Sequence, residues 1–167
     1  MTPLPPLAVD ALAFRHALSQ FAAGVTVVTT RSADGTPRGL TVTAFCSVSL
    51  EPPLVLVSID NRSEAHDGFA AGTFAISVLA EEQEEISRRF AVPGPDKFAE
   101  GTYTDGSSGL PLVSDALAHL QCRVVSMVPG GDHTIYVGRV EDARVREGRP
   151  LVYHGRGYRR LAEEGEP

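Results

Sequence analysis

Hydrophobic and polar positions along the 167-residue chain alternate with the short period of strands more often than with the longer period of helices. The clearest stretch is GLTVTAFCSVSLEPPLVLVSID, residues 39–60. In its first half Leu40, Val42, Ala44, Cys46 and Val48 fall on one face of an extended strand, and Thr41, Thr43, Phe45, Ser47 and Ser49 on the other. After a Pro-Pro turn the second half is continuously apolar, which predicts a fully buried strand beside the alternating one. The hydroxyl-rich face is open to two readings, an ordinary wet sheet face or a bed for a flat polar ligand.

Elements on either side follow from the same patterning. Asp10 is placed to cap a helix whose Phe14, Ala17, Leu18 and Phe21 recur at i, i+3, i+4 and i+7, so this helix is expected to pack on something and to end at Gly24. The β-branched run 25–31 predicts a strand, and Asp34-Gly35 a hairpin leading into the central stretch. Ser63 can cap a short helix ending at Gly72, followed by a strand over 73–79. Residues 81–90 carry acids early and Arg88 and Arg89 late, matching the helix macrodipole, with a narrow apolar stripe of Ile86 and Phe90 that predicts a surface helix. Gly, Pro and Ser dominate residues 92–115, which read as a long functional or mobile loop. Two long strands, 118–128 and 133–144, meet at Pro-Gly-Gly-Asp, and LVYHGRGYRRL closes the chain as a short strand and tail. Seven or so strands with few helices predict a mostly β fold, a closed or nearly closed antiparallel barrel in a single domain. Residues 1–9 read as a flexible lead and 162–167 as a flexible tail.

Composition narrows the function. Fifteen Lys plus Arg against 21 Asp plus Glu leave a net charge of −6, which argues against nucleic acid and anionic membrane surfaces as partners. Cys46 and Cys122 are too far apart to signal a disulfide framework or zinc site, as befits a reducing cytoplasm. No run of about 18 apolar residues and no export signal is present, so a soluble, unexported protein is expected. None of the five histidines has a metal-ligand partner at helical spacing, and no metal is expected. Walker, GxGxxG and GxSxG signatures are missing. Two features carry chemistry. Gly130-Gly131-Asp132-His133 places an acid and an imidazole at a tight turn, either as capping groups or against a ligand. Asn61, Arg62 and Ser63 precede a predicted helix, with Arg88, Arg89 and Lys97 further on, as an anion site or an ordinary capped surface.

Taken together, these segments resemble the short-chain flavin reductase family, whose fold is an FMN-binding split β-barrel and whose members commonly serve as the reductase component of two-component flavin-dependent monooxygenases. The likeness runs from Phe14 to Leu161 and keeps both diagnostic segments, Thr41-x-x-Ala44-x-x-Ser47 and Gly131-Asp132-His133. It implies that the isoalloxazine ring of FMN or FAD lies along Thr41, Val42, Thr43 and Ala44 with Ser47 and Val48. The ribityl chain and phosphate fall near Ser58, Asp60 and Ser63, flanked by Phe90 and Lys97. His133 then sits at the nicotinamide ring of NADH or NADPH, oriented by Asp132, and Tyr158 touches either cofactor. A homodimer and a flavin-dependent monooxygenase partner are implied as well. The alternatives are a flavin carrier or sensor without reductase activity, and an enzyme resembling pyridoxamine phosphate oxidases on the same barrel.

Overall fold

The computed structural model describes residues 9–162; the lead and tail expectations lie almost entirely outside the described residues. Twelve strands and two α-helices are present among them. Helix α1 (Ala11–Ser19) is followed by β1 (Ala23–Gly24), β2 (Thr26–Arg31), β3 (Pro37–Val42), β4 (Phe45–Leu50), β5 (Pro53–Asp60) and β6 (Thr73–Val78). Then come α2 (Glu84–Phe90), β7 (Tyr103–Asp105), β8 (Pro111–Val113), β9 (Ala118–Gly130), β10 (His133–Val145), β11 (Val152–His154) and β12 (Gly157–Arg159). Seven strands form one antiparallel sheet in the order β3-β2-β6-β9-β10-β5-β4. Its two edge strands, β3 and β4, are consecutive in the chain, so the barrel closes through the Thr43–Ala44 corner rather than through a ladder.

That corner corrects the central expectation. The predicted single alternating strand is two strands: β3 pairs with β2, from Thr26↔Val42 to Arg31↔Pro37, while β4 pairs with β5, from Phe45↔Val57 to Leu50↔Pro53. Val48 is the extra residue of a bulge, so the alternation also changes phase there. Nor is β5 buried on both sides. Val55, Val57 and Ile59 point into the barrel, while Leu54, Leu56, Ser58 and Asp60 remain half-buried on the outer face.

The barrel interior is filled by Val28, Val42, Val55, Val57, Ile59, Phe69, Phe74, Ile76, Cys122 and Tyr136. Phe69 lies between Phe74 and Tyr136, with ring centroids 5.6 and 4.5 Å apart. Gly138 makes room for this stack, because a Cβ there would lie 2.5 Å from Phe74 Cζ. Strand β2 is buried on both faces, with Val28 in the barrel and Val27 in a second core of Val25, Leu79, Phe90, Val113, Ala116 and Leu151.

The helices differ from expectation at their ends and faces. Asp10 caps α1 as predicted, accepting from Leu12 N–H at 2.9 Å and Ala13 N–H at 2.8 Å, but the helix stops at Ser19 and Gly24 belongs to β1. No residue of α1 is buried. The second helix starts with a 3-10 turn at Glu81–Gln83 and is not a surface element throughout, since Ser87 and Phe90 are fully buried. Gly72 ends a 3-10 turn, His66–Ala71, in the left-handed conformation. Residues 92–115 hold a turn at Pro95–Phe98 and the β7–β8 hairpin, whose Leu112 and Val113 are buried. These strands are three residues long, too short for periodicity to reveal. The chain closes on a β11–β12 hairpin that pairs with β1. Among the described residues no helix is long and apolar enough to cross a membrane, and no group of three or more His, Cys, Asp or Glu could hold a metal ion.

Candidate functional site

Outside the barrel, the outer face of β4, β5 and β10 carries a continuous track. Cross-strand partners share a face, so Cys46 and Val137 flank Leu56, Ile135 flanks Ser58, and His133 flanks Asp60. Leu56, Ser58 and Asp60 therefore follow one another at about 6.6 Å spacing along β5.

A groove of about 850 Å³ lies over the near end of this track. Leu18, Phe21, Phe45, Leu56, Ile135 and Tyr153 make its walls largely apolar, and Thr43, Ala44 and Ser58 supply polar groups. The Thr43–Ala44 corner has left both ladders. The Ala44 carbonyl accepts the Ser58 N–H at 3.2 Å, whereas the N–H groups of Thr43 and Ala44, the Thr43 hydroxyl and the Ser58 hydroxyl have no protein partner among the described residues. Unpartnered donors at the edge of an apolar groove suit a flat ring with heteroatoms along one edge, and the volume falls within the roughly 300–1,000 Å³ usual for cofactor sites.

A second groove, of about 520 Å³, lies across the corner and is lined by Leu40, Thr41, Asp60, Arg62, Ser63, Phe90 and Lys97 among others. Its polar wall mixes the cations Arg62 and Lys97 with the acids Asp60 and Glu64 and the hydroxyls of Thr41 and Ser63. The Lys97 ammonium is half-buried and donates to the Gly39 carbonyl at 3.1 Å; burial pushes its pKa below the ordinary lysine value. Arg62 makes a two-pronged contact with Asp60, at 3.1 and 2.8 Å, and holds that carboxyl well below the usual carboxylate range. Ser63 accepts the Ala65 N–H at 3.2 Å, opening the turn without being its N-cap. The two grooves meet at the Thr41–Ala44 segment, with Ser58 in the first and Asp60 in the second.

The Gly-Asp-His turn sits at the far end of the track. Gly131 takes φ +72° in the tight β9–β10 connection, which favours glycine. His133 Nδ1 lies 2.7 Å from Asp132 Oδ1. A carboxylate only accepts, so Nδ1 carries the proton; the same bond lowers the Asp132 pKa. The turn is tied to β5, because Asn61 N–H donates to the Asp132 carbonyl at 3.0 Å and Thr134 Oγ1 donates to Asn61 Oδ1 at 2.7 Å. His66, read from sequence as a surface or capping residue, is part-buried and lies 3.3 Å from Thr134 Oγ1 and 3.1 Å from the Tyr136 hydroxyl.

Other candidates are distributed differently. Thr41 lines the second groove, yet its hydroxyl donates to the Ser87 carbonyl at 2.6 Å, joining β3 to α2. Val42 is buried in the barrel core. Ser47 and Val48 are exposed on β4 and line neither groove. Phe90 presents one edge to the second groove but is fully buried, its ring packed against Gly39 and edge-on to Phe98 at 5.2 Å. Tyr158 lies 2.8 Å from Ser87 Oγ, and the Arg88 guanidinium stacks 4.9 Å above its ring. Missing from the sequence reading are the apolar groove walls Leu18, Phe21, Leu56, Ile135 and Tyr153. The unbroken apolar run of β5, half of it left outside the barrel, is the signal that could have revealed them.

A split antiparallel barrel, with an apolar groove edged by free backbone donors and a second, polar groove beside it that carries Ser63 and Lys97, defines the flavin-binding split-barrel class. Comparison with known proteins fixes the family: residues 18–162 match the model of the flavin reductase like domain, and the chain belongs to that family. It is 44% identical over 156 residues to an NADH-dependent flavin reductase of Rhodococcus sp, covering 92% of this chain and 88% of that one. It is 47% identical over 151 residues to the reductase component of 4-hydroxyphenylacetate 3-monooxygenase from Thermus thermophilus, covering 89% and 95%. Among solved structures, the NADH:FAD oxidoreductase of Streptomyces globisporus C-1027, in complex with NAD and FAD fragments, superposes with a TM-score of 0.88 at 38% identity, covering 94% and 96%.

Proposed function

We propose that the protein is an NAD(P)H-dependent flavin reductase that supplies reduced FMN or FAD to a flavin-dependent monooxygenase. The observation that carries this reading is the set of unpartnered donors at Thr43, Ala44 and Ser58, on an apolar groove whose track leads directly to His133. NADH is the donor in the names of the Rhodococcus and Streptomyces relatives, and we read it as the donor here. When bound, the flavin accepts a hydride from the nicotinamide, so the protein itself needs no nucleophile or metal.

The chain's own residues bind, orient and exclude water. Thr43 and Ala44 N–H, with the Ser58 hydroxyl, hold the polar edge of the ring, while Phe45, Leu56 and Ile135 shed water from its face. Ser63 and Lys97 hold the phosphate, and an anion there offsets the desolvation of the lysine. Asp132 fixes the tautomer of His133, which would seat the nicotinamide, while Tyr158, which lines neither groove, braces α2 through Ser87.

The protein works as a homodimer. In one copy α1 and the turn after it leave Leu12, Phe14, Leu18 and Phe21 exposed, and β4 and β9 leave Val48, Leu50, Met127 and Val128 exposed. Apolar surface on this scale marks an interface. A second copy over β4 also brings Ser47 and Val48 next to the site. Two free thiols suit a cytoplasmic enzyme. The test is steady-state loss of nicotinamide absorbance on adding free FMN or FAD. Flavin-dependent loss of NADH is expected; inertness with both NADH and NADPH refutes the reading.

A further inference from the structure

Two guanidinium groups stand on the apolar groove without a job. Arg15 projects from α1 and Arg156 from the β11–β12 turn, both line the groove, and neither makes an ion pair or hydrogen bond among the described residues. Other arginines are engaged: Arg31 with Asp105, Arg62 with Asp60 and Arg88 with Glu84. The groove wall contains no acid, so these two charges are uncompensated there although the chain as a whole is acidic.

Arg156 is also held at a backbone cost. His154↔Gly157 closes a two-residue turn whose central residues, Gly155 and Arg156, take φ +58° and +62°. Such a turn favours Asn or Gly at its second position, because a Cβ crowds the backbone in the left-handed region. Only Asp115 shares this conformation among the described non-glycine residues. The turn is fastened to α1, Gly155 N–H donating to the Ser19 carbonyl at 2.8 Å, so Arg156 is presented on the same side of the groove as Arg15. Beyond it the groove continues into a cleft of about 380 Å³ that shares Ser19 and Arg156 and is lined by Leu12, His16 and Gln20.

We propose that Arg15 and Arg156 form a diphosphate clamp at the mouth of the apolar groove, which holds a dinucleotide reaching along the groove with its diphosphate between the two guanidinium groups. Two cations with fork-like donors match the charge and oxygens of a diphosphate. This chemistry is common to the nicotinamide donor and to FAD. The inference rests on the reductase reading, which places the flavin phosphate at Ser63 and Lys97 and so favours the nicotinamide donor as occupant.

The test uses Arg15→Gln, Arg156→Gly and their double variant in the full chain. One arm measures KM for NADH with riboflavin as acceptor, so that only the donor carries phosphate. The other measures Kd for FAD against riboflavin without donor. Each single substitution is expected to raise KM for NADH about tenfold, the loss of one charge-assisted contact, and the double variant more. Arg156→Gly should melt at or above the wild-type temperature, since it relieves the turn, which separates a ligand contact from a folding role. A rise confined to the Kd for FAD, with riboflavin unchanged, supports the clamp and assigns it to FAD. A double variant whose NADH KM and FAD Kd both stay within about twofold of wild type overturns it. If wild type fails to oxidise NADH with any flavin, the reductase reading falls, and the clamp is then decided by direct titration of NADH and of FAD against wild type and the double variant, unchanged affinity for both overturning it.

Discussion

Substituting Thr41 by Val separates a structural hydroxyl from a ligand-binding one. In the family pattern Thr41 opens the flavin segment, yet its Oγ1 donates to the Ser87 carbonyl at 2.6 Å. That carbonyl also accepts the Ala91 N–H at 3.0 Å, so it retains a partner when the hydroxyl is removed. Ser87 itself is fully buried and bonded to Tyr158. Valine keeps the shape and removes one hydrogen bond without orphaning its acceptor, which sets the cost at about 1 kcal/mol. For a chain of this length that lowers Tm by about 2–4 °C. Flavin affinity should change less than about threefold, because the free donors of the groove are the backbone N–H groups of Thr43 and Ala44 and the hydroxyls of Thr43 and Ser58. Thermal melting of the flavin-free protein, with flavin titration followed by fluorescence, measures both quantities. An unchanged Tm together with a tenfold weaker flavin would refute the reasoning, since the Thr41 hydroxyl would then be a ligand contact.

His133→Ala should raise KM for NADH about tenfold while leaving the flavin Kd within about threefold, the loss of one positioned hydrogen-bond partner; equal losses in both contradict the role given to the turn. Gly138→Ala forces a Cβ to within 2.5 Å of Phe74 Cζ and 3.0 Å of Cys122 Cβ in the filled barrel. Such overpacking costs about 1–3 kcal/mol and should appear as a lower midpoint in urea with the slope unchanged. A thiol reagent should modify one cysteine in the native protein, the exposed Cys46, and bound flavin or NADH should slow it because Cys46 lines the groove. Cys122 is buried, its pKa pushed up to about 12 by desolvation, and should react only after unfolding. Two labels on the folded protein would contradict the described packing.

Much of the barrel was legible because β-branched runs and an Asp-Gly hairpin specify strands locally. The 25–31 and 73–79 runs, the Asp34-Gly35 hairpin and the long pair meeting at Gly130-Gly131 all fold as the pattern predicts, to within two residues at their ends. The Thr43–Ala44 corner was not legible. Alternation runs unbroken from Leu40 to Ser49, and only the closing of the barrel, which gives β3 to β2 and β4 to β5, decides that the chain must turn there. The burial of α2 escaped for a similar reason. Its two-residue apolar stripe suggests a surface, but Phe90 fills the second core and Ser87 meets Tyr158 from the far end of the chain. Site residues read from short motifs came together only in part. Asp60 and His133 are cross-strand neighbours and Ser58 shares their face, whereas Ser47 and Val48 stand on the outer edge, a placement set by the bulge that no period-two pattern encodes. The apolar floor of the groove depends on which half of β5 faces outward, a property of sheet closure and not of residue type.

The central claim is that nicotinamide and flavin meet on the outer face of β5 and β10, and anaerobic mixing tests it most directly. NADH is mixed with protein and one equivalent of FAD or FMN, and the flavin and nicotinamide bands are followed together. Bleaching of the flavin in step with nicotinamide loss, one for one, and slowing when the transferred hydrogen of NADH is replaced by deuterium, is the expected result. Flavin that binds yet stays oxidised while NADH persists would contradict it and leave a flavin-binding barrel without reductase chemistry.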